Sequence, residues 1–212
     1  MLIYTYEYSN QPEKTIPLYR KLIASNPNDI ENYYELAKVY QKLNKPKDAI
    51  KVLDEAEKKF GITDIVSVQK EMMYEQMGNM NKSFEEMKKL RDAYPTNLRY
   101  KAMLAEAYFQ NKKLDLAKAE FSELEKMNID EGLVYLSLAE YHRAVDAQYY
   151  NYFAMLEKAF SCDDESLTYE LKMQIINQLL TIARNDDYIK VQIKRLTSIV
   201  NKQYPSDVAL SA

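Results

Sequence analysis

The sequence predicts an all-α protein, an α-α superhelical solenoid of stacked helix-turn-helix hairpins. Three observations carry that expectation. Glycine occurs 3 times and proline 6 times in 212 residues, well under average usage, whereas β-rich folds need many tight turns with positive φ. Similar side chains recur at a step of 34 residues along most of the chain, a period that marks helical-repeat arrays. Within each step an aromatic follows a small residue by three positions, which puts both on one helix face.

The recurrence runs in four columns. Tyr6, Tyr40, Tyr74, Tyr108 and then His142 form the first. Ile3, Ala37, Glu71, Ala105 and Ala139 form the second, and Thr15, Ala49, Ser83 and Ala117 the third. Pro27, Gly61, Pro95 and Ile129 form the fourth. Small side chains let two helices approach closely, and the aromatic fills the space beside them. The second small residue lies across a short polar link such as Gly78-Asn79 or Asn111-Lys112-Lys113. Breakers such as Asn26-Pro27-Asn28-Asp29 and Tyr94-Pro95-Thr96-Asn97 stop one hairpin and supply a cap for the next. A hairpin of this kind cannot bury its apolar face alone and must stack on a neighbour.

In order along the chain, residues 1–29 read as a partial repeat in which Pro12 to Asn26 is a second helix. Its first helix would need residues before Met1. Repeats follow at 30–63, 64–97, 98–131 and 132–165, the last fitting in its second helix (Tyr152, Leu156, Ala159) after one inserted residue. Residues 166–205 read as a degenerate helical pair closed by Pro205, after which Val208-Ala209-Leu210 starts a helix that does not continue. Both ends look cut, so the chain reads as a segment of a larger protein whose terminal apolar faces pair with another copy.

At these residues the chain resembles the tetratricopeptide repeat family, with a looser likeness to bacterial cell-envelope members. The fullest match is Tyr33, Leu36, Ala37, Tyr40, Ala49, Leu53 and Ala56; Leu104, Ala105, Tyr108, Ala117 and Phe121 match in a later repeat. The repeat at 64–97 departs in its first helix, where Lys70 and Glu71 replace a leucine and a small residue. Ile65, Val68 and Met72 are therefore either an apolar hot spot or core residues of a rotated helix. Rotation, with Glu71 turned outward, is favoured because an unpaired buried carboxylate costs several kcal/mol.

The resemblance implies that the first helix of each repeat lines a concave groove that holds a peptide or partner helix. Carried over, the lining residues are Glu31, Tyr34, Lys38, Gln41 and Lys42, then Ile65, Val68, Met72, Glu75 and Gln76. Arg99, Ala102, Glu106, Phe109 and Gln110 continue it, followed by Leu133, Leu136, Glu140 and Arg143, with Tyr4 and Tyr8 extending the wall at the N-terminal end. The strongest candidates are Tyr34, Lys38, Gln41, Met72, Glu75, Arg99, Glu106, Phe109, Glu140 and Arg143. Tyr34 and Phe109 are the aromatic anchors, since aromatics bring large contact area with few rotors to freeze, and Arg99 or Arg143 could hold a carboxylate through two hydrogen bonds. The family's clamp for acidic chaperone tails is not expected here, because its positions read Tyr34/Lys38, Val68/Met72 and Ala102/Glu106.

Composition bounds the chemistry. The chain has one histidine and one cysteine, His142 and Cys162, too few for a hydrolytic triad or a His/Cys metal site. His142 sits in an aromatic column and reads as a packed structural residue, and Cys162 as a small buried filler. Asp163-Asp164-Glu165 precedes a new helix, where acids favour the N-terminal dipole. No catalytic residue, metal site or cofactor is expected. A net charge of −3 lacks the basic excess of phosphate-bound proteins, so nucleic acid is not the expected partner. The reading is a non-catalytic protein-interaction scaffold; the alternatives are a pentatricopeptide-like RNA binder or an assembly or regulatory segment of a larger envelope complex. Nothing in the chain assigns a compartment, and the cell envelope follows only if the parent protein carries a signal peptide.

Overall fold

The computed structural model describes residues 3, 6, 8–146, 149–184 and 186–205. Tyr4 and the segment from Ser206 on, with Val208-Ala209-Leu210, lie outside them. Among the described residues there are eleven α-helices and no strand. The chain divides into two compact units, Met1–Tyr100 and Lys101–Ala212.

In the first unit a 3-10 turn, Pro12–Thr15, leads into α1 (Ile16–Ser25). The helices α2 (Ile30–Lys42), α3 (Pro46–Phe60), α4 (Asp64–Gln76) and α5 (Met80–Ala93) follow. Pairs α2/α3 and α4/α5 form hairpins, with α1 packed on α2 and α3 on α4. Helix α6 (Leu98–Gln110) starts in the first unit and runs into the second. The second unit continues with α7 (Leu114–Leu124), α8 (Gly132–Val145), α9 (Tyr150–Ser161), α10 (Tyr169–Ile182) and α11 (Asp187–Gln203). Helices α8 and α9 pair closely, as do α10 and α11, and α9 also packs on α11.

The hairpin turns repeat as strictly as the core. Asn10, Asn44, Gly78 and Lys112 stand in left-handed backbone, with φ of 54°, 56°, 69° and 57°. The residue after each donates its backbone N–H to the carbonyl of the column tyrosine. These bonds are Gln11 to Tyr6, Lys45 to Tyr40, Asn79 to Tyr74 and Lys113 to Tyr108, at 2.8–2.9 Å. Each is the closing bond of a helix C-terminal motif, which satisfies carbonyls the helix leaves orphaned. The tyrosine column thus supplies a turn acceptor as well as a side chain. A Cβ on Gly78 would meet nothing within 4 Å, so its positive φ alone favours glycine there.

Helix starts repeat too. Asp29, Thr63 and Asn97 each accept backbone N–H groups of the first turn that follows. At α8 the corresponding Glu131 makes no side-chain cap bond. Asp164 supplies it from just beyond α9, the far end of the same hairpin, its Oδ2 2.9 Å from the Gly132 nitrogen. A Cβ on Gly132 would stand 3.1 Å from the Ala159 carbonyl oxygen and 3.3 Å from Leu167. Glycine is what lets α8 start this close to the end of α9. The acids 163–165 therefore do not sit in the first turn of the following helix; Thr168 caps α10 instead.

The two irregular residues of the 64–97 repeat are absorbed without any rotation of α4, which corrects the favoured sequence reading. Val66, Met73 and Tyr74 are buried, while Ile65 and Met72 face solvent and Val68 is half-buried. Glu71 stays on the inner side of the helix, half-buried, and accepts a 3.0 Å hydrogen bond from Ser83 Oγ. In the neighbouring repeats the same two positions are Ala37 with Ala49 and Ala105 with Ala117, all buried. One hydrogen-bonded pair has replaced a small-residue contact, so the carboxylate is never left unpaired.

Lys70 takes the column of Leu36, Leu104 and Leu138, and Lys172 takes it again. Lys70 is 3% exposed, with Nζ 2.8 Å from Asp54, 2.6 Å from Glu57 and 3.2 Å from Glu86. Burial pulls the Lys70 ammonium down, but hydrogen bonds to Asp54 and Glu57 and the charge of Glu86 outweigh it and hold it above the ordinary lysine range. Lys172, also buried, instead donates to the Phe160 carbonyl at 3.2 Å and the Gln203 carboxamide at 2.7 Å, with the Tyr204 ring face beside it. Without a carboxylate in ion-pair range, burial holds its pKa below the usual value.

Candidate functional site

In the first unit, Tyr34 of α2 and Asp64, Ile65, Val68 and Gln69 of α4 line an open hollow of about 360 Å³. The register of α2 and α4 puts it there. Tyr33, Leu36 and Ala37 turn inward on α2, as do Val66, Lys70 and Met73 on α4. The residues between them are left outside. Met72 extends the apolar strip along α4 and is 42% exposed, its sulfur accepting a weak 3.8 Å contact from Gln69. Charge is distributed unevenly around this strip. Lys38 is bound by Glu35 at 2.6 Å and lies over the Tyr34 ring, 5.0 Å from its centroid. Glu75 is exposed, and Gln41 is half-buried. Gln76 donates to Asn44 at 3.2 Å and ties the end of α4 to the α2/α3 turn. Arg99 is half-buried at the start of α6, where its backbone N–H is capped by Asn97. Tyr8 stands exposed near the N-terminus.

In the second unit the carried-over residues are more engaged. Ala102 is fully buried and lines no surface, which corrects its assignment to the groove. Glu106 accepts a hydrogen bond from the buried Ser137 hydroxyl and so ties α6 to α8. Phe109 packs edge-on against Tyr141 at 5.7 Å, and Tyr141 in turn stacks on Phe121 at 4.4 Å. Arg143 is held by Glu140 at 2.7 Å on the exposed side of α8. The structure thus brings Tyr34 beside Ile65 and Val68 of the α4 strip, holds Lys38 against Glu35 and Tyr34, places Phe109 in an aromatic cluster, and pairs Glu140 with Arg143.

Tyr141, next to the column histidine, is the aromatic the sequence reading passed over. His142 lies mostly buried with Nε2 2.6 Å from Glu125, and it is Tyr141 that fills the space beside α7. Cys162 is half-buried at the end of α9, and burial raises its thiol pKa, the opposite of the depressed value that activates a nucleophilic cysteine. Burial pushes the Asp164 carboxyl up, but the Ser166 hydroxyl and the backbone N–H groups of Ser166, Gly132 and Leu133 together hold it below the usual carboxylate range. Among the described residues no group of His, Cys, Asp or Glu is arranged to hold a metal ion, and no helix is long and apolar enough to cross a membrane.

The tetratricopeptide repeat family model matches residues 8–61, and no curated protein matches the chain. Several solved structures share its fold. PilF of Pseudomonas aeruginosa superposes with a TM-score of 0.51 at 16% identity, over 97% of this chain and 90% of that one. A crystal structure of MamA gives 0.51 at 14% identity, over 73% and 90%. A human IFIT1 dimer with PPP-AAAA gives 0.60 at 14% identity, over 100% of this chain and 53% of that one. At such identities the likeness is one of fold: helix-hairpin repeats stacked side by side.

Proposed function

We propose that the chain, which the tetratricopeptide repeat model matches over residues 8–61 and which shares the helical-repeat fold of its structural neighbours, is a non-catalytic scaffold that holds a peptide or a partner helix on the outward faces of its first helices. The observation that supports this most is the hollow between α2 and α4. Tyr34, Ile65, Val68 and Met72 spend apolar surface on solvent there, although the same helices have buried residues one position away. Exposed apolar side chains gathered in one place, rather than scattered singly, mark binding surfaces. The side chains a catalyst would need do not converge: the histidine is paired with Glu125, and the cysteine thiol is pushed up. The acidic balance favours a protein partner over nucleic acid.

Micromolar binding, roughly −8 kcal/mol, is the strength this reading expects. For a partner co-purified with the chain, titration calorimetry with the wild type and the Tyr34→Ala/Val68→Ser double variant tests the reading. Loss of two apolar anchors lowers the affinity at least tenfold. Unchanged affinity for both refutes the placement of the groove.

A further inference from the structure

The partner's chemistry can be read from the charges around the α4 strip, an inference that rests on the groove assignment above. Apolar residues Ile65, Val68 and Met72 run along α4 for about 10 Å, two helical turns. An acid stands at each end, Asp64 in the first turn and Glu75 in the last. Asp64 lines the hollow itself and, after burial, is the main reason the Tyr100 hydroxyl's pKa is raised. Opposite, Glu31 is exposed in the first turn of α2. On α2, Lys38 is held at 2.6 Å by Glu35 and lies against Tyr34, and Lys42 stands exposed in the last turn. The apolar strip is therefore bracketed along α4 by a carboxylate at each end.

We infer that this face takes a basic amphipathic segment: a helix whose apolar stripe, repeating at i, i+3, i+4 and i+7, lies along Ile65, Val68 and Met72 while flanking Lys or Arg side chains meet Asp64 and Glu75. The spacing matches because both surfaces are α-helical with the same rise. The charges steer encounter and select the partner more than they add affinity.

Fluorescence anisotropy with two labelled helical peptides of one shared leucine stripe tests this, one with lysine and glutamine at the polar positions and the other with glutamate and glutamine. The full chain binds the lysine peptide at least tenfold more tightly than the glutamate peptide, and added salt weakens the lysine peptide's binding. Val68→Ser lowers lysine-peptide affinity at least fivefold, and the Asp64→Lys/Glu75→Lys variant reverses the preference. These side chains lie at the surface, and a circular-dichroism melt verifies that each variant is folded. Equal binding of both peptides, preference for the glutamate peptide, binding of neither, or insensitivity to Val68→Ser overturns the inference. If a natural partner maps to the α2/α4 face but is acidic, the groove reading stands and this inference alone fails.

Discussion

At the scale of the residue, the two buried lysines show how one column tolerates the same substitution by different means. Lys70 is compensated by Asp54, Glu57 and Glu86, so removing it strands carboxylates, and the Oε2 atom of Glu86 is buried without a hydrogen bond already. Lys70→Met should cost about 3–5 kcal/mol, and the Lys70→Met/Glu86→Leu double variant should recover most of it. A denaturant midpoint series reads both. Lys172 donates to a carbonyl and a carboxamide beside a ring face, and Asp163 and Asp164 act on it without an ion pair. Lys172→Met is expected to be neutral or stabilising, within about 1 kcal/mol. The signs with pH differ as well. A depressed lysine pKa means that the unfolded chain binds more protons, so Lys172 favours folding increasingly as pH rises toward 10.5. The raised Lys70 contributes fully below that value and fades above it. Neither environment was legible in the sequence, because charge compensation comes from residues 13 or more positions away or from a backbone carbonyl.

Elements are better determined by sequence than the contacts between them. The hairpins follow from the 34-residue columns, and even the irregular Glu71 obeys them through Ser83, the residue that faces it in every repeat. What the periodicity hid was the turn column, since Asn10, Asn44, Gly78 and Lys112 share a backbone conformation and little chemistry. Lysine is the least suited of the four to left-handed backbone. Lys112→Gly is therefore expected to raise stability by about 0.5–1 kcal/mol, and the corresponding Gly78→Ala to lower it by a similar amount. Thermal melts of the two variants check the pair. The α8 start is the other element whose logic is non-local, because its cap arrives from Asp164. Asp164→Ala should cost about 1–2 kcal/mol near neutral pH. Its carboxyl sits below the ordinary value in the fold, so this contribution is present above that value and is lost as pH falls through the folded one. Melts of wild type and variant should converge in acid.

For the whole molecule, fold class was readable from composition and period alone, whereas the repeat positions left open which side chains their neighbours engage. Ile65 and Met72 are exposed and Tyr34 and Val68 half-buried, whereas Ala102 is buried, Phe109 is drawn into the Tyr141 cluster, and Glu106 is tied to Ser137. A repeat position says which way a side chain leaves its helix, not whether a neighbour of similar size has claimed it. That difference gives the two halves different expected sensitivity. Tyr34→Ala should weaken partner binding with little effect on the melting temperature. Phe109→Ala should lower the melting temperature through loss of aromatic packing, by an amount equivalent to about 1–3 kcal/mol. Calorimetry of binding and of unfolding on the same two variants separates these outcomes.

The central claim is that partners are held by the outward face of the first helices. Photo-crosslinking tests it most directly, with a benzophenone side chain placed in turn at Val68, Met72, Lys51 and Glu85 of the intact chain in its native cell. Adducts to one partner from Val68 and Met72, and none from Lys51 or Glu85 on the second helices, are the result this account predicts. Adducts that arise from the second-helix positions, or equally from all four, would contradict it.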